Sequence, residues 1–197
     1  MDDICVTNIN RQLPAMSGTI GKLKTEVMSE RVKLINSECT VNIIDDFISP
    51  ENQSDYLNRD YDYVIDAIDN VKTKASLIAY CKRNKINVIT IGGAGGQTDP
   101  TQIQIADLSK TIQDPLLAKV RSVLRKDYNF SQNPKRKFSI DAIFSTQPLI
   151  FPQMTEDCSI SATMNCANGF GAATMITATF GFFAVSRVID KLLKKKS

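Results

Sequence analysis

The chain of 197 residues is 43% hydrophobic and carries a formal net charge of +3 at pH 7. That apolar content can bury one substantial core, so a single domain over 1–197 is expected and wholesale disorder is excluded. No histidine is present, which removes His-based triads, imidazole metal sites and histidine acid–base catalysis.

The charge is too small to imply a nucleic-acid partner by itself, so local clusters must decide that question. Cys5, Cys39, Cys81, Cys158 and Cys166 form no C-x-x-C pair. An odd number of cysteines behind Met1-Asp2-Asp3, with no basic or apolar leader, predicts free thiols, no structural zinc and a cytoplasmic location. Cys81, in an apolar helical context, is expected in the core, and Cys158 and Cys166 are expected to be inert.

In chain order, Lys22 to Ile35 carries Leu23, Val27, Val32, Leu34 and Ile35 among charges and predicts an amphipathic helix. Thr40 to Ile44, β-branched and followed by Asp45-Asp46, predicts a strand, and a helical stretch follows Ser49-Pro50. Tyr63 to Asp66 predicts a second strand, Lys72 to Arg83 a helix, and Asn87 to Ile91 a third strand running into Gly92-Gly93-Ala94-Gly95-Gly96. The glycine run is expected to form a tight turn. Gln102 to Ala106 reads as a strand, and Pro115 to Asp127 as a helix with Pro at its first turn and Asp114 as N-cap. Tyr128 to Lys137 reads as a polar surface loop, and sheet character resumes over Phe144 to Phe151.

The alternation specifies an α/β fold with a parallel sheet. From Cys158 to Ser186 no residue is charged. Gly171 to Val185, with its continuation to 189, is therefore either a candidate membrane span or a helix buried in protein. Burial is the favoured reading, because Asn165, Asn168 and several threonines are poor lipid-facing residues. Residues 158–197 together read as an apolar helical extension, and Lys191 to Lys196 as a solvated C-terminus that complements the helix dipole.

Chemistry concentrates in Asn8-Ile9-Asn10-Arg11-Gln12, in Lys24, and in Asp66-Ala67-Ile68-Asp69-Asn70 at a strand end. A guanidinium and an ammonium suit phosphate charge, and a carboxylate suits magnesium. Each alone is also explained blandly, Arg11 and Lys24 as solvated cations and Asp69-Asn70 as a turn or helix cap.

The order Asn-x-Asn-Arg-Gln, Gly-x-x-Lys, Asp-x-x-Asp-Asn and Gly92 to Gln97 resembles the ubiquitin-activating-enzyme-like superfamily of adenylating enzymes. Asp99 to Gln104, Asp107 to Thr111 and Phe170 to Met175 resemble its tRNA-modifying branch, which cyclises threonylcarbamoyladenosine with loss of water. The resemblance covers essentially the whole chain. It implies a Rossmann-like doubly wound sheet lacking its first βαβ portion, since no Gly-x-Gly-x-x-Gly precedes Asn8. It also implies ATP and Mg2+ as cofactors, with Arg11, Lys24 and Asp69 catalytic, Asp69 the metal ligand, and Asn8, Gln12 and Asn70 completing the nucleotide pocket. Expected partners are tRNA, a second copy of the chain, and a sulfur-relay or carrier protein.

Lys119, Arg121, Arg125, Lys126, Lys135, Arg136 and Lys137, with Tyr128 and Phe130, could meet RNA phosphates and stack on a base, or form an ordinary basic helix face. Three other readings stay open: adenylation of a ubiquitin-like or sulfur-carrier protein, a partner-binding remnant without catalysis, and a dinucleotide oxidoreductase. The last leaves Arg11, Lys24 and Asp69 without a role.

Overall fold

The computed structural model describes residues 2–151 and 171–196. Cys158, Cys166, Phe170 and the first part of the 158–197 extension lie outside them. Three strands run parallel, β1 (Val64–Asp66), β2 (Val88–Ile91) and β4 (Asp141–Ser145), and β3 (Ile103–Asp107) lies antiparallel at the edge in the order β1-β2-β4-β3. Ile65 pairs with Ile89, Thr90 with Ala142, and Ile105 with Ile143.

Both faces of the sheet are covered, which is why its central strands are nearly continuous in apolar residues. Val88, Ala142 and Phe144 meet α3 (Val71–Asn84) and α4 (Pro115–Asp127) on one face. Ile89, Ile103 and Ile143 meet Ile176, Phe180, Ala184 and Val188 of α5 (Thr174–Lys196) on the other. This is an α/β architecture with helices on both sides of a mostly parallel sheet, as expected.

Local chemistry starts the helices where the sequence places them. The Asn70 side chain accepts from the Thr73 N–H to cap α3, and Asp114 accepts from the Leu117 N–H to cap α4, whose first residue is Pro115. Cys81 is fully buried in α3, and burial pushes its thiol up to about 11, so it packs as a small apolar group.

Three expectations need correction. Thr40 to Ile44 forms no strand among the described residues, and Ile43 and Ile44 are exposed. A strand exists only through its neighbour, and β1 pairs only with β2 among these residues. The helix α1 (Lys24–Ile35) is present, but of its expected apolar face only Val27 is buried, whereas Leu34 and Ile35 stand exposed, and the stretch after Ser49-Pro50 forms the single turn α2 (Gln53–Tyr56). The strand expected over Phe144 to Phe151 lies earlier, at Asp141–Ser145, and Ile150 and Phe151 are exposed beyond it.

No helix of the described residues is long and apolar enough to cross a membrane. Arg187, Asp190, Lys191 and Lys194 charge the second half of α5, and Arg187 reaches back to Asp141 at 2.7 Å. The favoured reading, burial in protein, holds for the face carrying Ile176, Phe180 and Ala184.

Asp107 supplies a pH-dependent anchor between β3 and the segment entering β4. Its carboxylate accepts N–H bonds from Ser109 (2.9 Å), Phe138 (2.9 Å) and Ser139 (2.7 Å). Burial alone would raise its carboxyl, but the Ser109 and backbone donors outweigh it and hold the group below the ordinary value. A depressed folded-state value adds stability above about pH 4, the unfolded range, that is lost as pH falls through the folded value. Asp107→Asn is therefore expected to cost about 1–2 kcal/mol near neutrality. The gap from wild type should stay constant in melting curves from pH 7 to about pH 5 and narrow only below about pH 4, and a gap that does not narrow on further acidification would contradict this role.

Candidate functional site

At the carboxyl edge of the parallel strands, the segments after β1 and β2 open a cleft of about 1020 Å³. Ala67, Ile68 and Asp69 form one wall, Gly92 to Gly95 another, and Leu116 closes the side toward α4. Val6, Thr7, Ile9, Asn10 and Arg11, with Thr177, Phe180 and Gly181 of α5, form the opposite wall.

The turn holding Arg11 is built by its neighbours. Asn8 is buried, its side chain accepts from the Cys5 N–H at 3.1 Å, and its carbonyl accepts from Arg11 (3.1 Å) and Gln12 (2.9 Å). The first turn of α5 clamps it in place. The Thr174 N–H and hydroxyl both donate to the Asn10 carbonyl at 2.9 Å, the Asn10 amide donates to Ala172 at 2.9 Å, and the Thr177 hydroxyl donates to the Arg11 carbonyl at 2.5 Å. The Arg11 guanidinium donates to the Thr7 carbonyl and lies on the cleft.

Asp69 lines the same cleft with an exposed carboxylate that makes no hydrogen bond or ion pair among the described residues. One such carboxylate fits magnesium, which takes one or two protein carboxylates and completes its octahedron with phosphate oxygens and water.

The other expected residues are placed differently. The Lys24 ammonium is outside the cleft lining, 2.6 Å from the exposed Asp2 carboxylate. Asn8 and Asn70 spend their side-chain oxygens on the turn and on the α3 cap, and Gln12 is absent from the lining.

The glycine run works by two means. At Gly92 an added Cβ would sit 1.9 Å from Asp114 Oδ2 and 3.1 Å from the Ile143 carbonyl, so only hydrogen fits, and Gly96 has φ +70°. Asp114 Oδ2 accepts the Gly93 N–H at 3.0 Å while Oδ1 accepts Leu117 at 2.8 Å. Burial raises the Asp114 carboxyl, opposed by those N–H donors and by Lys74.

Lys74 is the residue that the sequence concealed. It is fully enclosed, with Nζ 3.0 Å from Asp66 Oδ2, 2.9 Å from the Ile68 carbonyl and 3.4 Å from the Asp66 carbonyl. Asp66 Oδ2 also accepts from the Thr90 hydroxyl at 2.7 Å, and its Oδ1 accepts from the Ile68 N–H at 3.0 Å. Burial lowers the ammonium value, with Asp66 the strongest opposing influence and Asp114 and Asp69 adding to it. A signal existed: Lys74, Ile78 and Cys81 share the i, i+4, i+7 stripe that α3 buries.

The basic stretch is partly committed elsewhere. Arg121 donates to the Thr111 hydroxyl, Arg125 lies 5.3 Å over the Phe138 ring, and Phe130 meets Phe138 edge-on at 4.9 Å. Arg83 covers Tyr128 at 5.7 Å. Lys119, Lys126, Lys135, Arg136 and Lys137 remain exposed.

The ThiF family model matches residues 1–197. The chain is 98% identical over its full length to a tRNA threonylcarbamoyladenosine dehydratase of Haemophilus influenzae, covering 76% of that protein. It is 54% identical to the Escherichia coli protein of the same name, with 99% of this chain and 75% of the relative aligned. The crystal structure of the E. coli dehydratase in complex with ATP superposes with a TM-score of 0.89 at 52% identity, covering all of this chain and 74% of that one. The same dehydratase in complex with AMP superposes equally well, at 53% identity.

Proposed function

The chain belongs to the ThiF family, and on that premise we propose that it is an ATP-dependent tRNA-modifying enzyme that cyclises threonylcarbamoyladenosine in tRNA with loss of water. The observation that carries the reading is that Arg11 and Asp69, from distant parts of the chain, line one cleft at the carboxyl edge of the sheet. The similar E. coli dehydratase has been solved with ATP and with AMP, the nucleotide consumed and the nucleotide finally released when a carboxylate is activated by adenylation.

The chemistry needs two displacements. A carboxylate oxygen of the threonylcarbamoyl group attacks the α-phosphorus of ATP and pyrophosphate leaves. A nitrogen of the same modified nucleoside then attacks the activated acyl carbon. AMP departs with the former carboxylate oxygen, and the nitrogen's proton passes to solvent.

In the first step charge accumulates on the leaving pyrophosphate, where a fixed guanidinium is worth more than a mobile surface cation. We assign that role to Arg11, whose backbone is clamped by Thr174 and Thr177. Asp69 is the residue that would hold a magnesium ion, which supplies neutralising charge at the phosphates.

Lys24 reaches the phosphates in this scheme by leaving Asp2. An exposed ion pair of that kind is worth only about 0–1 kcal/mol, so a triphosphate can displace the Asp2 carboxylate. Asn8 and Asn70 support the pocket through the backbone turns they hold, and Gln12 through its place in the Arg11 turn.

One adenylation domain over 1–197 is proposed, with the α5 region as its C-terminal extension. A homodimer contact is assigned to the outer face of α5, where Phe182, Val185 and Ile189 are exposed at helical spacing opposite the sheet. Phe182→Asp is expected to shift a sedimentation profile from dimer to monomer, and an unchanged profile would remove this face from the assignment.

The test of function is AMP formation from ATP in the presence of tRNA with and without the threonylcarbamoyl group. Release is expected with the modified tRNA alone. Release that instead requires a small carrier protein would overturn it in favour of carrier adenylation.

A further inference from the structure

The cleft walls after β1 and β2 each rest on a buried charge, Lys74 beneath 66–69 and Asp114 beneath Gly93. From this juxtaposition we infer that Lys74 is a positioning residue for the nucleotide site. Its ammonium fixes the Asp66–Ile68 backbone so that Asp69 stands on the cleft in the geometry a metal–triphosphate requires. The inference deepens the proposed function and rests on it.

All three ammonium hydrogens have acceptors, and two of those acceptors are carbonyls of the wall itself. Asp66 completes the unit by accepting the Thr90 hydroxyl from β2 and the Ile68 N–H from the wall. The wall is thus tied at three points to one ion pair buried beneath it, and that pair is tied to β2 through Thr90. Its last residues, Asp69 and Asn70, are held between that ion pair and the α3 cap.

Stability alone does not explain such a pair. Desolvating two charges commonly cancels their attraction, and apolar replacements of buried pairs are often as stable or more so. A lysine on the Ile78–Cys81 stripe, where an apolar residue would pack, is retained for what its donors orient. Lys74 itself does not line the cleft, so it acts through Asp69 and not on the substrate.

The test uses the full chain with Lys74→Met alone and with Lys74→Met plus Asp66→Asn, the second replacing the ion pair by an uncharged one. The single variant is expected to be markedly destabilised, because it leaves a carboxylate buried without its partner. The double variant is expected to recover most of the lost melting temperature. Amide exchange at Ile68 to Asn70 should nevertheless stay about tenfold faster than wild type, and Kd for Mg-ATP about tenfold or more weaker, the scale of losing an outer-shell support. KM for ATP should rise while KM for the modified tRNA is unchanged.

If the double variant regains wild-type exchange at 68–70 together with its melting temperature, Lys74 is a fold element only and the inference is overturned. If wild type itself gives no Mg-ATP signal, the nucleotide reading of the cleft fails, and the exchange data still decide whether Lys74 holds the wall.

Discussion

Gly92→Ala is expected to lower stability by about 2–4 kcal/mol, far more than a methyl added at Gly93, which would meet only ordinary contacts. The added Cβ would lie 1.9 Å from Asp114 Oδ2, and the backbone cannot retreat because the Gly92 N–H donates to the Ile143 carbonyl at 2.8 Å. The carboxylate must therefore move, and it is buried and already holds the Leu117 and Gly93 N–H groups. Losing a helix cap costs about 1 kcal/mol, and an unsatisfied buried donor about 1–3 kcal/mol more. For a chain of this length the melting temperature should fall by roughly 5–15 °C. Because the injury passes through Asp114, Gly92→Ala combined with Asp114→Ala should cost less than the two single changes added, with a coupling of about 1 kcal/mol or more. A Gly92→Ala protein that melts within about 1 °C of wild type would show that the carboxylate can move freely.

Arg11→Ala and Asp69→Asn are expected to abolish most turnover while leaving the fold intact. Arg11 is half-buried and Asp69 exposed, and neither side chain supports the core. Removing one fixed charge from a site that stabilises developing anionic charge typically costs about 10²–10³-fold in kcat. AMP release should therefore fall by about that factor in each variant, with melting temperatures near wild type. Lys24→Ala separates two possibilities. If the ammonium leaves Asp2 for the phosphates, the variant should lose about tenfold or more in kcat/KM for ATP, while Asp2→Ala should be neutral or improve it. Full activity in Lys24→Ala would confine the phosphate clamp to Arg11.

These expectations also mark which parts of the molecule were legible in the sequence. Helices α3 and α4 could be placed from local chemistry, because Asn70, Asp114 and Pro115 cap or open them through contacts within a few residues. Strand β2 stands out because both faces of the sheet are covered there and the sequence turns apolar without alternation, whereas the short β1 was legible from Val64 and Ile65 although Ile65 is exposed. Thr40 to Ile44 shows the limit of that logic, since β-branched composition states a preference that only a neighbouring strand can satisfy. β4 was misplaced for a related reason. It opens with Asp141, a residue disfavoured in strands that is held here by Arg187 from α5, while Ile150 and Phe151 drew attention to the segment after it.

At the site, motif order named Arg11 and Asp69, and both lie on the cleft. The same order said nothing of Lys74, because a lysine near the start of a helix ordinarily reaches water. Only the tertiary placement of Asp66 and the Ile68 carbonyl makes its burial tolerable. The glycine run suggests a turn at Gly92, whereas the requirement there comes from the Asp114 carboxylate, distant in sequence. Lys24 shows the converse, a motif residue whose ammonium is engaged by an exposed acid.

Nucleotide binding in the cleft between Arg11, Asp69 and the Gly92–Gly95 wall is the step on which the other proposed roles depend. Hydrogen–deuterium exchange mass spectrometry with and without Mg-ATP tests it most directly. Exchange should slow in peptides covering 6–12, 67–70 and 91–95. Protection confined instead to the basic hollow lined by Tyr63, Lys82, Lys137 and Arg187, or no protection at all, would contradict it.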